Sequence, residues 1–395
     1  MKRLWDKGEP LDQRVLRYTA GEDHTLDNRL IHYDVLASIA HAKMLCEESL
    51  LSKKDFEAIC DGLEKLEIAY KNNEWKISLE DEDVHTALEK KLTEAIGDAG
   101  KRIHLGRSRN DQVLAALRLY LIDASIALEK SAIQLAKSLD KLANRNLDLP
   151  LPGYTHMQQA MPSSVELWAK AYANEIKDDA LGLAQTRRRI SKNPLGSAAG
   201  FGTPGLNTDR EKTRISLGFE TVQEPVTSVQ LSRGKAEAGL VFELCLLLQD
   251  LGKLATDLLL YYTKEFAFIT LPENMTTGSS IMPQKRNPDV LELVRGATGT
   301  INAALSEILG ITSKLSSGYH RDLQRIKAPL FRAIDLADDS VEIMQHLIKD
   351  VNFRKENIKL DESIFATEKA NQLVINEGIS FRDAYLRIAK KLKKK

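Results

Sequence analysis

Through the middle of the chain, apolar positions return every three or four residues over unusually long distances. One stripe runs Leu114, Leu117, Leu121, Ala124, Leu128, Ala132, Leu135, Leu139 and Leu142. A second runs Leu240, Leu244, Leu247, Leu251, Leu254, Leu258 and Tyr261, and a third Leu291, Val294, Thr298, Ile301, Leu305 and Ile308. Such steps keep side chains on one face of an α-helix, so each stripe predicts one continuous helix. Segment 162–191, opening with Pro162 and rich in Ala, Glu and Lys, predicts another. A helix of about 30 residues is about 45 Å long, and a stripe of that length needs cover from other helices at shallow crossing angles. The expected fold class is all-α: a long helical bundle as central domain, with smaller helical N- and C-terminal domains. The expected boundaries are 1–108, 109–355 and a short C-terminal domain over 356–395.

Shorter elements precede the bundle. Segment 34–50 reads as a helix, and Ser52-Lys53-Lys54-Asp55 resembles a capping box ahead of the Phe56, Ile59, Leu63, Leu66, Tyr70 stripe. Loops rich in Gly, Pro, Asn and Thr fall at 97–111, 148–161, 193–210 and 270–288, and no run alternates as a strand should. The terminal Lys-Lys-Leu-Lys-Lys-Lys reads as a solvated end.

Composition narrows the classes of function. Lys plus Arg number 56 and Asp plus Glu 56, so no global field favours nucleic acid or an anionic membrane, and an anionic ligand must be held by a local cluster. No apolar run reaches the roughly 20 residues of a bilayer span, and the N-terminus has no signal-like apolar region. Cys46, Cys60 and Cys245 read as free thiols of a reducing compartment, and the expected location is the cytoplasm.

Reactive residues concentrate in the loops that punctuate the helices, where a rigid scaffold can position them. In Gly278-Ser279-Ser280-Ile281-Met282-Pro283-Gln284-Lys285-Arg286-Asn287-Pro288-Asp289, the Asn-Pro pair fits a helix start, with Asn287 as cap. That start plus Lys285 and Arg286 forms an anion site, with Ser279 and Ser280 beside it as proton-transfer groups; a capped helix with a polar approach reads the same residues without chemistry. His104-Leu105-Gly106-Arg107-Ser108-Arg109-Asn110-Asp111-Gln112 offers groups that grip carboxylates. Gly153-Tyr154-Thr155-His156-Met157-Gln158 places an imidazole on a loop entering a helix. Glu82-Asp83-Val84-His85-Thr86 gathers acid and imidazole, at a spacing that matches no common metal-ligand pattern. Gly200-Phe201-Gly202-Thr203-Pro204-Gly205 matches a dinucleotide pattern formally; without a preceding strand, and with Pro204 where a helix should follow, it reads as turns.

The Gly-Ser-Ser-x-Met-Pro-x-Lys-x-Asn-Pro core resembles the signature of the fumarase/aspartase superfamily, and Gln284 before Lys285 resembles its argininosuccinate lyase branch. Gly106 through Gln112, Gly153 through His156, Glu82 through Thr86 and Tyr319-His320-Arg321-Asp322-Leu323-Gln324 are similar to that branch too. The similarity runs from Leu4-Trp5 to about Ala384.

The resemblance implies an enzyme that cleaves argininosuccinate into arginine and fumarate without metal or organic cofactor. A base takes the proton beside a succinyl carboxylate, the carboxylate gains charge as an aci-carboxylate, and an acid protonates the departing nitrogen. Matched by motif, Ser279 and His156 share the acid/base work, Lys285 stabilises the dianion and Glu292 orients the network. Asn110, Thr155, Asn287, Tyr319, Gln324 and Lys327, with Ser108 and Arg109, match substrate-binding positions, and His85, Gln158 and Ser280 are further candidates. It also implies a homotetramer whose sites combine loops of different subunits, with a small-molecule substrate and no nucleic-acid or membrane partner. Another fumarate-releasing lyase of the superfamily, or a non-catalytic crystallin-like relative, are the alternatives. The sequence departs from the branch at Asp6-Lys7-Gly8 after Leu4-Trp5, at Met161-Pro162, near Asp23, where the branch has a substrate-contacting serine, and in the short C-terminal domain.

Overall fold

Each apolar stripe folds as part of one uninterrupted helix in the computed structural model, which describes residues 12–393. The Leu4-Trp5 match and the last two lysines lie outside the described residues. Twelve helices of eight or more residues are present among them: α1 (Gln13–Ala20), α2 (Ile31–Glu47), α3 (Lys53–Lys71), α4 (Val84–Ile96), α5 (Arg109–Arg145), α6 (Val165–Ile190), α7 (Arg210–Leu217), α8 (Lys235–Tyr262), α9 (Asp289–Thr312), α10 (Lys327–Asp350), α11 (Ala366–Glu377) and α12 (Phe381–Leu392). The 37 residues of α5 make a rod of about 55 Å at 1.5 Å per residue. Its stripe is buried at Leu114, Leu117, Leu121, Leu128, Leu135, Leu139 and Leu142, and that of α8 from Leu240 to Tyr261. The fold is all-α, as the periodicity predicts.

The chain divides into two compact units, and each of the five long helices α5, α6, α8, α9 and α10 contributes a stretch to both. The first unit draws on the chain up to Glu129, Leu181–Cys245 and Gly299–Ala337. In it Ser52 caps α3, its hydroxyl accepting the Asp55 amide at 3.1 Å and donating to the Asp55 carboxylate at 2.8 Å, which gives the N-cap half of the capping-box reading. Ala37, Ala115, Leu119, Leu195 and Phe219 form a core where α2 and α5 meet the connection before α8. Arg29 clamps Asp335 through two bonds of 2.9 and 3.0 Å, with its guanidinium 4.5 Å from the Phe331 ring centroid.

The second unit draws on Lys130–Ala180, Leu246–Thr298 and the chain from Asp338 onward. Its core is aromatic: Trp168, Tyr261 and Phe353 meet ring to ring, and Asp257 accepts from Trp168 Nε1 at 2.9 Å and the Tyr172 hydroxyl at 2.8 Å. The helices α11 and α12 pack on one another around Ala370, Ala384 and Ile388.

The main departure from the helical reading is a hairpin, beside two short pairs of two-residue strands. Residues expected to form a loop before α6 build an antiparallel hairpin, β1 (Pro150–Thr155) and β2 (Gln158–Ser164), so the expectation of no strand is corrected here. Three prolines and a glycine hide the alternation, since proline cannot donate to a strand ladder and glycine weakens it. The Gly200–Gly205 stretch is a series of turns, with positive φ at all three glycines, in line with its reading as a non-nucleotide loop.

Candidate active site

Each unit assembles part of the predicted residue set. In the first, Ser108 caps α5: its hydroxyl accepts the Asn110 amide at 3.3 Å and its carbonyl the Gln112 amide at 3.1 Å. Asp111 lies fully buried behind it and accepts the amides of Ser108, Gly196 and Ala198 at 2.9, 3.1 and 2.8 Å. Burial still pushes its carboxyl up to about 6, against the pull of those amides and of Arg107. The turn that presents Ser108, Arg109 and Asn110 is therefore held from beneath by the buried Asp111 carboxylate.

Arg109, Lys327 and His85 each meet buried carboxylates. Arg109 forms a short ion pair with Asp83 and lies 3.7 Å from Glu82, which Arg321 approaches at 3.3 Å. Desolvation drives the Asp83 carboxyl upward, but Arg109 and His85 outweigh it and hold the group down to about 2. Burial would likewise discharge His85, yet Asp34, 3.1 Å from its Nδ1, raises its pKa. Gln112 donates to both oxygens of that same Asp34 at 3.0 and 3.2 Å. Lys327 sits 2.7 Å from Asp27 and 2.8 Å from Asp23. Gln324 donates to the Thr19 and Ala20 carbonyls at 2.9 and 3.0 Å, and it lines a cavity of about 430 Å³ with Asp23, Glu22 and Arg321. Tyr319 stays exposed.

The second unit carries the remainder. The two-residue connection of the hairpin is His156-Met157, with φ of 51° and 60°. That is the backbone of a type I′ turn, which favours Asn-Gly. A non-glycine residue held there costs about 1–3 kcal/mol, and such strain gathers at functional positions. His156 and Met157 are both exposed, between Thr155 and Gln158 at the strand ends.

The other loop is pinched shut at its base by Thr277 and Asn287, whose amides and carbonyls bond reciprocally at 3.0 and 2.8 Å. Between them the Ser279 hydroxyl oxygen accepts the Met282 amide at 3.2 Å and the Ile281 amide at 3.4 Å. Two amides aimed at one oxygen favour negative charge on it. Asn287 does not cap α9 through its side chain. Its carboxamide donates back to the Gly278 carbonyl at 3.3 Å and to the Thr277 hydroxyl at 3.4 Å, and the first α9 amides bond to the Pro288 carbonyl. The cap assignment is corrected accordingly, because the short loop recruits Asn287 to close itself. Asp289 and Glu292 stand in the first turn of α9, so the helix dipole already faces two carboxylates. An anion there depends on side-chain cations, Lys285 with Lys264, Arg286 and Arg295 around the same cavity. Lys285, Asn287 and Glu292 line one open cavity of about 1050 Å³ together with Met157 and Arg295; Ser279, Ser280 and His156 lie outside its walls in the single chain.

Sequence reasoning missed Asp27 and Asp34, the buried acids that hold Lys327 and His85. The available signal was their spacing, four residues from Asp23 to Asp27 and seven from Asp27 to Asp34.

The model of a family described as Lyase matches residues 12–302. The chain is 43% identical to the argininosuccinate lyase of Sorangium cellulosum (strain So ce56) over 98% of its length and 90% of the relative's. It is 39% identical to that of Thermotoga neapolitana over 99% of its length and 98% of the relative's. Among solved structures, EDDS lyase in complex with formate superposes with a TM-score of 0.82 at 25% identity, covering 96% of this chain and 76% of that one. A class II fumarase from Schistosoma mansoni shares the fold, with a TM-score of 0.80 at 18% identity over 98% of this chain and 91% of that one.

Proposed function

The chain belongs to the argininosuccinate lyase family, and on that premise we propose that it eliminates fumarate from argininosuccinate and releases arginine. It is a carbon–nitrogen lyase acting on a small molecule. The chemical difficulty is a weakly acidic carbon whose proton leaves only if the neighbouring carboxylate accepts a second charge, so the site must supply cations and oriented dipoles there. The observation that carries this reading is the α9 approach: Lys285, Asn287 and Glu292 line one cavity at the foot of a loop whose serine oxygen faces two amides.

In the proposed mechanism Ser279 and His156 divide the proton transfers, one at the carbon and the other at the departing nitrogen. Lys285 compensates the aci-carboxylate, and Glu292 orients the acid/base pair. Thr155 and Asn287 hold the succinyl part, with Gln158 and Ser280 as neighbours. Ser108, Arg109, Asn110, Tyr319, Gln324 and Lys327 grip the rest of the substrate, with His85 fixed behind them. The ion pairs of Arg109 and Lys327 preorganise those cations but leave them little uncompensated charge, so they serve chiefly as oriented donors.

We place the working enzyme in the cytoplasm as a homotetramer with sites shared between subunits. Leu167, Phe242, Leu293 and Leu309 are between 49% and 74% exposed on the long helices of the single chain, apolar area that neighbouring subunits would cover. Cys46, Cys60 and Cys245 carry no disulfide, which suits a reducing compartment. The test is to supply argininosuccinate, adenylosuccinate, aspartate and malate in separate reactions and follow fumarate absorbance. Fumarate is expected from argininosuccinate, and its release from another of the four instead would replace the assignment.

A further inference from the structure

Apart from the residues assigned to the substrate, the first unit holds a cleft in which cations outnumber carboxylates. Its inner part, a cavity of about 330 Å³, is lined by four cations, Arg118, Arg189, Lys192 and Lys235, against a single carboxylate, Glu224. Glu224 is engaged elsewhere, accepting from Arg210 at 2.6 Å. Arg189, Lys192 and Lys235 make no ion pair among the described residues. Arg118 is 3% exposed; it donates through Nη1 to the Lys192 carbonyl, while its Nε has no hydrogen-bond partner. Burial and the nearby Arg233 lower its pKa to about 10, against the pull of Glu237. In the same wall the Gln223 side-chain carbonyl and the Ser228 hydroxyl are buried without a partner.

A desolvated guanidinium with an idle N–H, beside three further cations, is costly unless an anion comes to it. Arg189 lies over Gly239, where an added Cβ would meet its Nη1 at 3.2 Å. Lys192, Lys235 and Arg189 also line the adjoining cavity of about 750 Å³, together with Arg188, Glu243 and the apolar Phe242 and Leu309 that a neighbouring subunit would cover.

We propose that this cleft binds a multiply charged phosphate-class anion, with its phosphates between Arg118, Arg189, Lys192 and Lys235. Phosphate suits the lining better than a single carboxylate, because each group brings more charge and three acceptor oxygens to a fork of N–H donors. The bound anion is either a free oligophosphate or the phosphate chain of a nucleotide.

Titration calorimetry of the full-length protein with pyrophosphate and, separately, ATP tests this, with fumarate present at saturation to occupy carboxylate subsites. Pyrophosphate is expected to bind the wild type and Lys285→Gln alike. The double variant Lys192→Gln/Lys235→Gln is expected to weaken binding by about tenfold or more, as loss of charge-assisted bonds implies. Both altered side chains reach solvent, and an unchanged far-UV CD spectrum establishes that the variant is folded. A tighter grip on ATP than on pyrophosphate assigns the site to a nucleotide, and an equal grip assigns it to phosphate alone; both sustain the proposal. No binding at millimolar pyrophosphate overturns it, as does binding that survives the double variant.

Discussion

Ser279→Ala is expected to cut the rate of fumarate release by about 10²- to 10⁴-fold, the range that a positioned proton-transfer group contributes. The helical CD spectrum should not change. The hydroxyl is half-buried on a loop, makes no bond to a side chain and accepts only from the amides of Ile281 and Met282. Its removal leaves two amides that can turn to water, so the fold has little to lose. The chemistry has much to lose, because those amides are what would make this oxygen a better proton carrier than an ordinary serine. Ser280→Ala is the internal control: its side chain is exposed and has no such amide pair, and its effect should stay within about tenfold. Near-normal turnover of Ser279→Ala, or equal losses in both variants, removes Ser279 from the mechanism.

The long helices were legible because their period is redundant. Stripes of six to nine positions tolerate a Thr298 or an Ala124 without losing their face, and the α5 and α8 stripes are buried at every position but Ala124. The hairpin was not legible, because Pro150, Pro152, Gly153 and Pro162 suppress strand propensity while antiparallel pairing still fixes the register. The strain at His156-Met157 shows mainly in three dimensions: histidine is enriched at positive φ, but methionine does not announce one. At the catalytic loop, sequence identified the residue types and misjudged one job. Asn287 before Pro288 looks like a cap, yet a loop of nine residues between Thr277 and Asn287 has its own carbonyls to satisfy, and the nearer partner wins. The acids behind Lys327 and His85 were hidden for a different reason: burial is a property of packing, and Asp27 and Asp34 look like ordinary surface carboxylates until their helices are placed.

Lys327→Met should cost about 3–5 kcal/mol of stability near neutral pH, the usual penalty for stripping one partner from a buried ion cluster. Lys327 is 3% exposed, Asp27 fully buried and Asp23 7% exposed, so water cannot replace the lost ammonium. The pH dependence distinguishes this from a simple loss of packing. Burial raises the Asp23 carboxyl from 3.8 to about 6 even though Lys327 pulls it down, with Asp27 pushing the same way as burial. The folded state therefore holds a proton that the unfolded state has released, and stability contributed by that proton is complete below pH 3.8 and lost as pH rises through about 6. Without Lys327 the restraint disappears and the carboxyl rises further. The deficit of Lys327→Met, read from urea midpoints against wild type, should consequently be larger at pH 8 than at pH 5. Adding Asp23→Asn should recover part of it at the higher pH only, because at pH 5 Asp23 is already protonated. A deficit below about 1 kcal/mol, typical of an exposed pair, or one equal at both pH values, would mean that Lys327 is solvated and that the carboxylates around it do not form a buried charge cluster.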